Sequence, residues 1–237
     1  MKNIAVVLSG GTGARMGLDV PKQYMELAGK PVIVHVLEQL QCCEAVEGVV
    51  VTAALVWKRG ILQWKEDFSL TKLLAIAPAG KDRQLSIRSG LLAAEEFMGS
   101  DELSGVIIQD AVRPLTSVTL LTCLIEELKE AHAVMPALPI TDTAYTSRNG
   151  HWVDGLLDRS TLFAGQAPEA FRYWPYLALY RDTPEPVLSS MSGSCQLPYS
   201  VGWNVKIISG EQSNIKITYA EDLRTCEELL RERGKKA

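Results

Sequence analysis

The sequence predicts an α/β protein: a three-layer, Rossmann-like, mostly parallel sheet carrying a protruding β-arm. Three observations predict it. Short β-branched runs alternate with amphipathic stretches through the first half of the chain, which is the pattern of βαβ units. The early strand-like runs are apolar throughout, as strands covered by helices on both faces are. The alternation then gives way to mixed polar and apolar residues around Asn149-Gly150, a strong hairpin signal.

Strands are expected at residues 4–8, 48–52, 73–77 and 106–109, each followed by loop signals and then a helical pattern. The intervening helices are expected at 32–41, 57–66, 85–96 and 118–131, with Pro31 and Ser117 marking two of the starts. Ligands of open α/β sheets bind beyond the carboxyl ends of the strands, so the loops at 9–22, 78–86 and 110–116 should converge on one crevice. After an apolar run at 134–138, residues 139–165 read as the arm. A two-stranded arm has little core of its own and gains burial from a partner, often a symmetric twin. Residues 181–202, rich in Pro, Ser and Gly, read as loop; 205–208 and 216–218 read as strands, and 220–233 as a closing helix. No internal repeat interrupts this order, and 1–237 reads as a single domain.

The composition excludes several classes of function. With 237 residues, 47% hydrophobic and 22% charged, the chain can bury one large core. Its 24 basic and 28 acidic residues give a net charge of -4 and no basic face for nucleic acid or an anionic membrane. No apolar run approaches the roughly 20 residues that span a bilayer, and Met1-Lys2-Asn3 leads straight into a strand, so a cytoplasmic protein is expected. Cys42, Cys43, Cys123, Cys195 and Cys226 form no C-x-x-C pair and read as reduced thiols. His35, His132 and His151 are scattered and read as helix-face or loop residues, not as a metal set.

The loop Ser9-Gly10-Gly11-Thr12-Gly13-Ala14-Arg15-Met16-Gly17 follows a buried strand, and its glycines let backbone N–H groups close on phosphate oxygens. By itself it fits a phosphate cradle, a dinucleotide-binding turn or a tight strand-to-helix connection. A third glycine is missing at Met16, and the second strand ends in Thr52-Ala53-Ala54 without an acid for a ribose diol, which disfavours nicotinamide binding. Arg15 and, seven residues on, Pro21-Lys22-Gln23-Tyr24 place two permanent cations around the loop. Phosphoryl chemistry requires cations where charge accumulates, although a solvated surface is the ordinary fate of Lys and Arg. Asp110, just past an apolar strand, stands where a carboxylate would hold Mg²⁺ against a triphosphate; as an isolated Asp it could equally cap the next turn and pair with Arg113.

Together LSGGTGARM, PKQY, GKDRQLS, QDAVRP, DRSTLFAGQAPEAF and SNIKIT resemble the cytidylyltransferases of the methylerythritol phosphate and ribitol 5-phosphate type, in the family's order and over nearly the whole chain. The resemblance implies a homodimer that uses CTP and Mg²⁺ to modify a small polyol phosphate. Carried over by position, Arg15 and Lys22 stabilise the transition state. Leu8, Ser9, Gly10, Gly11 and Gly13, with Gly80, Arg83 and Ser86, bind the nucleotide. Asp110 holds the metal and, with Arg113, orients the acceptor; Arg159 and Thr143 reach from the arm into the partner's site; and Lys216 holds the acceptor phosphate.

The chain departs from the family in three places. Lys81 stands where an acid is usual, Leu85 replaces a carboxylate before the serine, and Leu188 through Cys195 replaces a segment rich in Thr and Asp. The Arg15-to-Lys22 spacing and the loop Arg83-Gln84-Leu85-Ser86 resemble the methylerythritol phosphate branch, the preferred reading. Gly165-Gln166-Ala167-Pro168 and Val112-Arg113-Pro114 resemble the ribitol phosphate branch. A sugar-1-phosphate nucleotidyltransferase and, from another class, a non-catalytic nucleotide-binding protein are the remaining readings.

Overall fold

The computed structural model describes residues 2–11 and 20–236, with side chains described up to Arg233. Gly13 and Arg15 of the glycine-rich loop lie outside the described residues.

Four strands build the parallel half of the sheet: β1 (Asn3–Leu8), β4 (Gly48–Ala53), β5 (Leu73–Pro78) and β6 (Gly105–Asp110). Between β1 and β4 lie the two-residue strands β2 (Glu26–Leu27) and β3 (Lys30–Pro31). Ala28 (φ 49°) and Gly29 (φ 81°) turn this hairpin, supplying the two positive φ angles of a type I′ turn. Helices α1 (Val32–Cys42), α2 (Lys58–Asp67), α3 (Arg83–Ala94) and α4 (Val118–Glu127) follow the expected alternation. β1 is central and pairs in parallel with β4 and β6, and β5 closes that edge against β4.

The other half comprises β7 (Ala133–Pro139), β10 (Phe163–Gly165), β11 (Glu169–Arg172) and β12 (Val205–Ser209). β11 is antiparallel to both β6 and β7, so it inserts as a reversed strand between two that run the same way. β10 pairs antiparallel with the far end of β7, and its register differs from that of β11 by two residues. The two are therefore one strand direction interrupted at Gln166-Ala167-Pro168, where the Ala167–Pro168 peptide is cis. β12 adds in parallel to the other edge of β7.

The alternation of β1 explains the layers. Ala5 and Val7, with Val49, Val51 and Ile107, pack under α1, α2 and α4 through Ile33, Leu37, Ile61 and Leu124. Ile4 and Val6, with Val50, Val106 and Ile108, face Ile87 and Leu91 of α3 and the tyrosines of α5 (Tyr173–Asp182). Period-2 side chains on a sheet buried on both faces thus require helices above and below.

Three expectations need correction. Residues 181–202 are not simply loop: α6 (Glu185–Ser189) and α7 (Gln196–Ser200) form there, with Leu188, Ser194 and Leu197 buried. Residues 216–218 form no strand; Ile217 donates a lone backbone hydrogen bond to Val112 O (2.9 Å), beneath the closing helix α8 (Ala220–Lys236). The helix expected at 85–96 begins at Arg83, because the Asp82 carboxylate accepts from Leu85 N (2.9 Å) as its N-cap. α5 forms where no element is expected from the sequence, although Tyr173, Tyr176, Leu177 and Tyr180 lie at i, i+3, i+4 and i+7, and all four are buried.

Within residues 139–165, Tyr145–Thr146 (β8) and Gly155–Leu156 (β9) form an antiparallel hairpin. Tyr145, Trp152, Val153 and Leu156 are each more than half exposed on it.

Candidate active site

The carboxyl ends of β1, β5 and β6 open onto a cavity of about 410 Å³ lined by the loops that follow these strands, the first, third and fourth loops of the parallel half, together with Lys22 and Lys216. Larger hollows of about 620 and 510 Å³ lie towards the opposite end of β7 and β12, around Trp203 and Asn204, and one of about 430 Å³ lies beside His132 and Trp174. None brings phosphate-sized backbone turns together with several cations.

The glycine-rich loop is held from behind. Gln23 is buried, and its Nε2 donates to Ser9 O (2.9 Å) and to Gly11 O (2.7 Å). The Tyr24 hydroxyl donates to Ser9 O (3.1 Å) while its ring stacks on Trp57 at 4.2 Å. Lys22 begins the short 3₁₀ turn that carries both residues and so comes to line the cavity.

Gly10 and Gly80 are needed for close approach. A Cβ on Gly10 would sit 2.5 Å from Ala79 Cβ, and one on Gly80 would sit 2.5 Å from the Leu85 carbonyl carbon. The third loop therefore folds flush against the first and over the start of α3. Ser86 Oγ closes it, accepting from Gly80 N (3.0 Å) and donating to Asp82 O (2.8 Å).

Asp110 is the charge centre. Its Oδ1 meets Arg83 Nη2 at 3.1 Å, its Oδ2 meets Lys216 Nζ at 2.8 Å, and Arg113 Nε lies 3.9 Å from Oδ2. Burial raises the pKa of this carboxyl, but Arg83, Lys216 and Arg113 outweigh burial and hold it down at about 2. Arg113 is itself anchored by Nη1 on Asn214 O (2.6 Å), and Asn214 is fully buried between Thr116 (3.0 Å) and Ala167 O (2.8 Å). That anchor and the Ile217–Val112 bond bring Lys216 to Asp110.

The structure thus gathers Leu8, Gly10, Gly11, Lys22, Gly80, Arg83, Ser86, Asp110 and Lys216 around one cavity, with Ser9 and Arg113 directly behind it. Arg159 and Thr143 are exposed on the arm and do not line it; Arg159 Nη1 donates to Thr141 O (2.7 Å).

Sequence reasoning missed two residues here. Glu169, at the start of β11, is buried with Oε2 3.6 Å from Arg83 Nη2; burial raises its pKa, against the lowering effect of Arg83. Ser194 is fully buried and accepts from Arg83 Nη1 (2.6 Å). The Pro-Glu-Ala-Phe string offered a signal for Glu169, an acid leading an otherwise apolar strand. Nothing local pointed to Ser194.

The family model described as 2-C-methyl-D-erythritol 4-phosphate cytidylyltransferase matches residues 3–232. A ribitol-5-phosphate cytidylyltransferase of Streptococcus agalactiae serotype V is 32% identical over 223 residues, 94% of this chain and 92% of that protein. A 2-C-methyl-D-erythritol 4-phosphate cytidylyltransferase of Pelotomaculum thermopropionicum is 34% identical over 233 residues, 98% of this chain and 95% of that protein. In fold, the crystal structure of 4-diphosphocytidyl-2C-methyl-D-erythritol synthase from Anaerococcus prevotii is similar with a TM-score of 0.78 at 24% identity, covering 97% of this chain and 98% of that one. The cradle of glycines around a cation-bound carboxylate and the match along nearly the whole chain agree: this is a nucleotidyltransferase, and the chain belongs to the 2-C-methyl-D-erythritol 4-phosphate cytidylyltransferase family.

Proposed function

We propose that the chain transfers CMP from CTP to 2-C-methyl-D-erythritol 4-phosphate, an isoprenoid-precursor step, and releases pyrophosphate. It would act in the cytoplasm as a homodimer of single 1–237 domains joined by the arms at 139–165. The observation that carries this reading is Asp110 held between Arg83 and Lys216 at the mouth of a glycine-lined cavity, in a chain of this family.

In the reaction a phosphate oxygen of the acceptor attacks the α-phosphorus of CTP. The bond from that phosphorus to the oxygen bridging it to the β-phosphate breaks, and pyrophosphate departs with the electron pair. The backbone of residues 8–11 and the turn at Gly80 receive triphosphate oxygens, Arg15 and Lys22 take up the charge that grows on the α-phosphate and the leaving group, and Lys216 turns from Asp110 to the acceptor phosphate. Arg159 and Thr143 serve the partner's acceptor site.

A Mg²⁺ ion fits this donor set. Among the described residues no group of three or more His, Cys, Asp and Glu can hold a metal, but Mg²⁺ is commonly bound through one or two carboxylates with phosphate oxygens and water. Asp110, ionised and lining the cavity, would be that carboxylate once Lys216 turns from Oδ2 to the acceptor phosphate. The bound ion would neutralise triphosphate charge.

D-Ribitol 5-phosphate is the second acceptor reading, supported by Gly165-Gln166-Ala167-Pro168, by Val112-Arg113-Pro114 and by the 32% identity to a ribitol-5-phosphate cytidylyltransferase of Streptococcus agalactiae. Pyrophosphate release, measured over CTP, UTP and dTTP against both polyol phosphates and sugar 1-phosphates, tests the proposal. Turnover with CTP and 2-C-methyl-D-erythritol 4-phosphate exceeding every other pair is expected. Preference for ribitol 5-phosphate would transfer the assignment to the second reading, preference for a sugar 1-phosphate would overturn both, and no turnover with any pair would leave a nucleotide-binding protein.

A further inference from the structure

Three consecutive residues at the start of α3, its N-cap Asp82 and its first two residues Arg83 and Gln84, are each gripped by one serine-rich segment more than a hundred positions away. Ser189 Oγ donates to Asp82 Oδ2 (2.6 Å), Arg83 Nη1 donates to Ser194 Oγ (2.6 Å), and Gln84 Nε2 donates to Gly193 O (2.9 Å). The grip on Arg83 bears on the reaction, because the two terminal nitrogens of that guanidinium have different partners. Nη1 goes to Ser194, while Nη2 goes to Asp110 (3.1 Å) and lies 3.6 Å from Glu169.

A guanidinium bound at Nη2 alone can pivot about that contact. One held at both ends has its plane defined. Ser194 is in turn immobilised: it is fully buried, and its carbonyl accepts from the Tyr176 hydroxyl (3.1 Å). Tyr176 stacks face to face on Phe171 of β11 at 3.9 Å, so the strand that carries Glu169 also braces the tyrosine.

We infer that Ser194 is a positioning residue for nucleotidyl transfer: by fixing Nη1 of Arg83 it sets the Asp110 carboxylate that Lys216 and the acceptor share. The inference rests on the functional reading above. Misplacing a reacting group by about an ångström is costly in rate even where ground-state binding is nearly intact.

The test combines kinetics with a direct view of the guanidinium. In ¹H–¹⁵N spectra of ¹⁵N-arginine-labelled full-length protein, Arg83, identified by its loss in Arg83→Lys, should show separate Nη1 and Nη2 resonances. These should average in Ser194→Ala. In the same variant kcat should fall about tenfold or more with KM for CTP changed less than about threefold. In an Arg83→Lys background, Ser194→Ala should cost less than about twofold further, since the two act as one unit. Tyr176→Phe, which keeps the stack on Phe171, should move both readouts in the same direction by less and stands in if Ser194→Ala unfolds below the assay temperature.

A full tenfold loss persisting in the Arg83→Lys background overturns the inference. So does a rise in KM for CTP at constant kcat, or an unchanged Arg83 spectrum in Ser194→Ala. A wild-type protein inert with every acceptor, yet with Arg83 resonances resolved, would overturn the functional reading and the catalytic part of this inference while the clamp itself stands.

Discussion

Lys216 Nζ and Asp110 Oδ2 meet at 2.8 Å across 106 positions of the chain. Lys216 sits on a segment without helix or strand, and its ammonium is placed by neighbours: Ile217 on Val112 O, and Asn214 between Thr116 and Ala167. In the proposed reaction this exposed, tethered lysine exchanges one anion, the carboxylate, for another, the acceptor phosphate.

Lys216→Gln should therefore raise KM for the acceptor by about tenfold or more and lower kcat, with KM for CTP little changed, because one charge-assisted contact contributes about 1.5–3 kcal/mol. Initial-rate kinetics with each substrate varied in turn would show this. An effect confined to KM for CTP would move Lys216 to the nucleotide side.

Gln23→Ala removes the donor that two loop carbonyls share, and Gln23→Glu replaces it by a group that only accepts when ionised. Leaving such carbonyls unsatisfied costs about 1–3 kcal/mol. Both variants should melt lower and bind CTP more weakly, with Gln23→Glu the worse of the two because its carboxylate repels the carbonyls. Thermal unfolding and calorimetric titration with CTP would check it. Wild-type affinity in Gln23→Glu would show that the cradle does not depend on this clasp.

The Asp110 carboxyl is depressed to about 2 despite its burial, below the roughly 3.9 of an unfolded chain. A folded-state pKa below the unfolded one contributes stability that is fully present above about pH 4 and is lost as pH falls through about 2. Asp110→Asn should thus lower stability by about 2–3 kcal/mol at pH 7, where it removes the ionised partner that Arg83 and Lys216 share. The gap to wild type should narrow below pH 4. Denaturant unfolding at pH 7 and pH 3 measures both, and a gap that widens on acidification would contradict the ion-pair account.

The arm exposes Trp152 (77%) and Leu156 (67%), apolar surface that a second copy would cover. If Arg159 serves the partner's site, mixing inactive Arg159→Ala chains with inactive Lys22→Ala chains should restore activity. Each mixed dimer has one site with both cations and one with neither. Half of the dimers are mixed at random exchange, so recovery should reach roughly a quarter of wild type per site, by two-fold symmetry. No recovery after verified exchange would leave the arm a purely dimerising element.

What the sequence by itself determined is what short-range periodicity and stereochemistry encode. The unbroken apolar run at 4–8 put helices on both faces of β1, and Ser117 and Pro31 marked the two helix starts to the residue. The glycines and Asp110 fell at strand ends, where open α/β sheets bind ligands, so most of the cavity lining was legible before any coordinates. The motif resemblance added Lys216, which no local rule distinguishes from a solvated lysine.

Only the tertiary structure decided what stands behind these groups. Ser194 reaches Arg83 across 111 positions and Glu169 reaches it from a reversed strand, and such pairings leave no trace in a window of a dozen residues. The run at 216–218 is β-branched enough to suggest a strand, yet β12 already occupies the outer edge of β7 and α8 covers Ile217, so a single bond to Val112 is what remains. Residues 181–202 look like loop by their Pro, Ser and Gly content, yet they fold into α6 and α7 because burying Leu188 and Leu197 against the tyrosines of α5 outweighs weak local helix propensity.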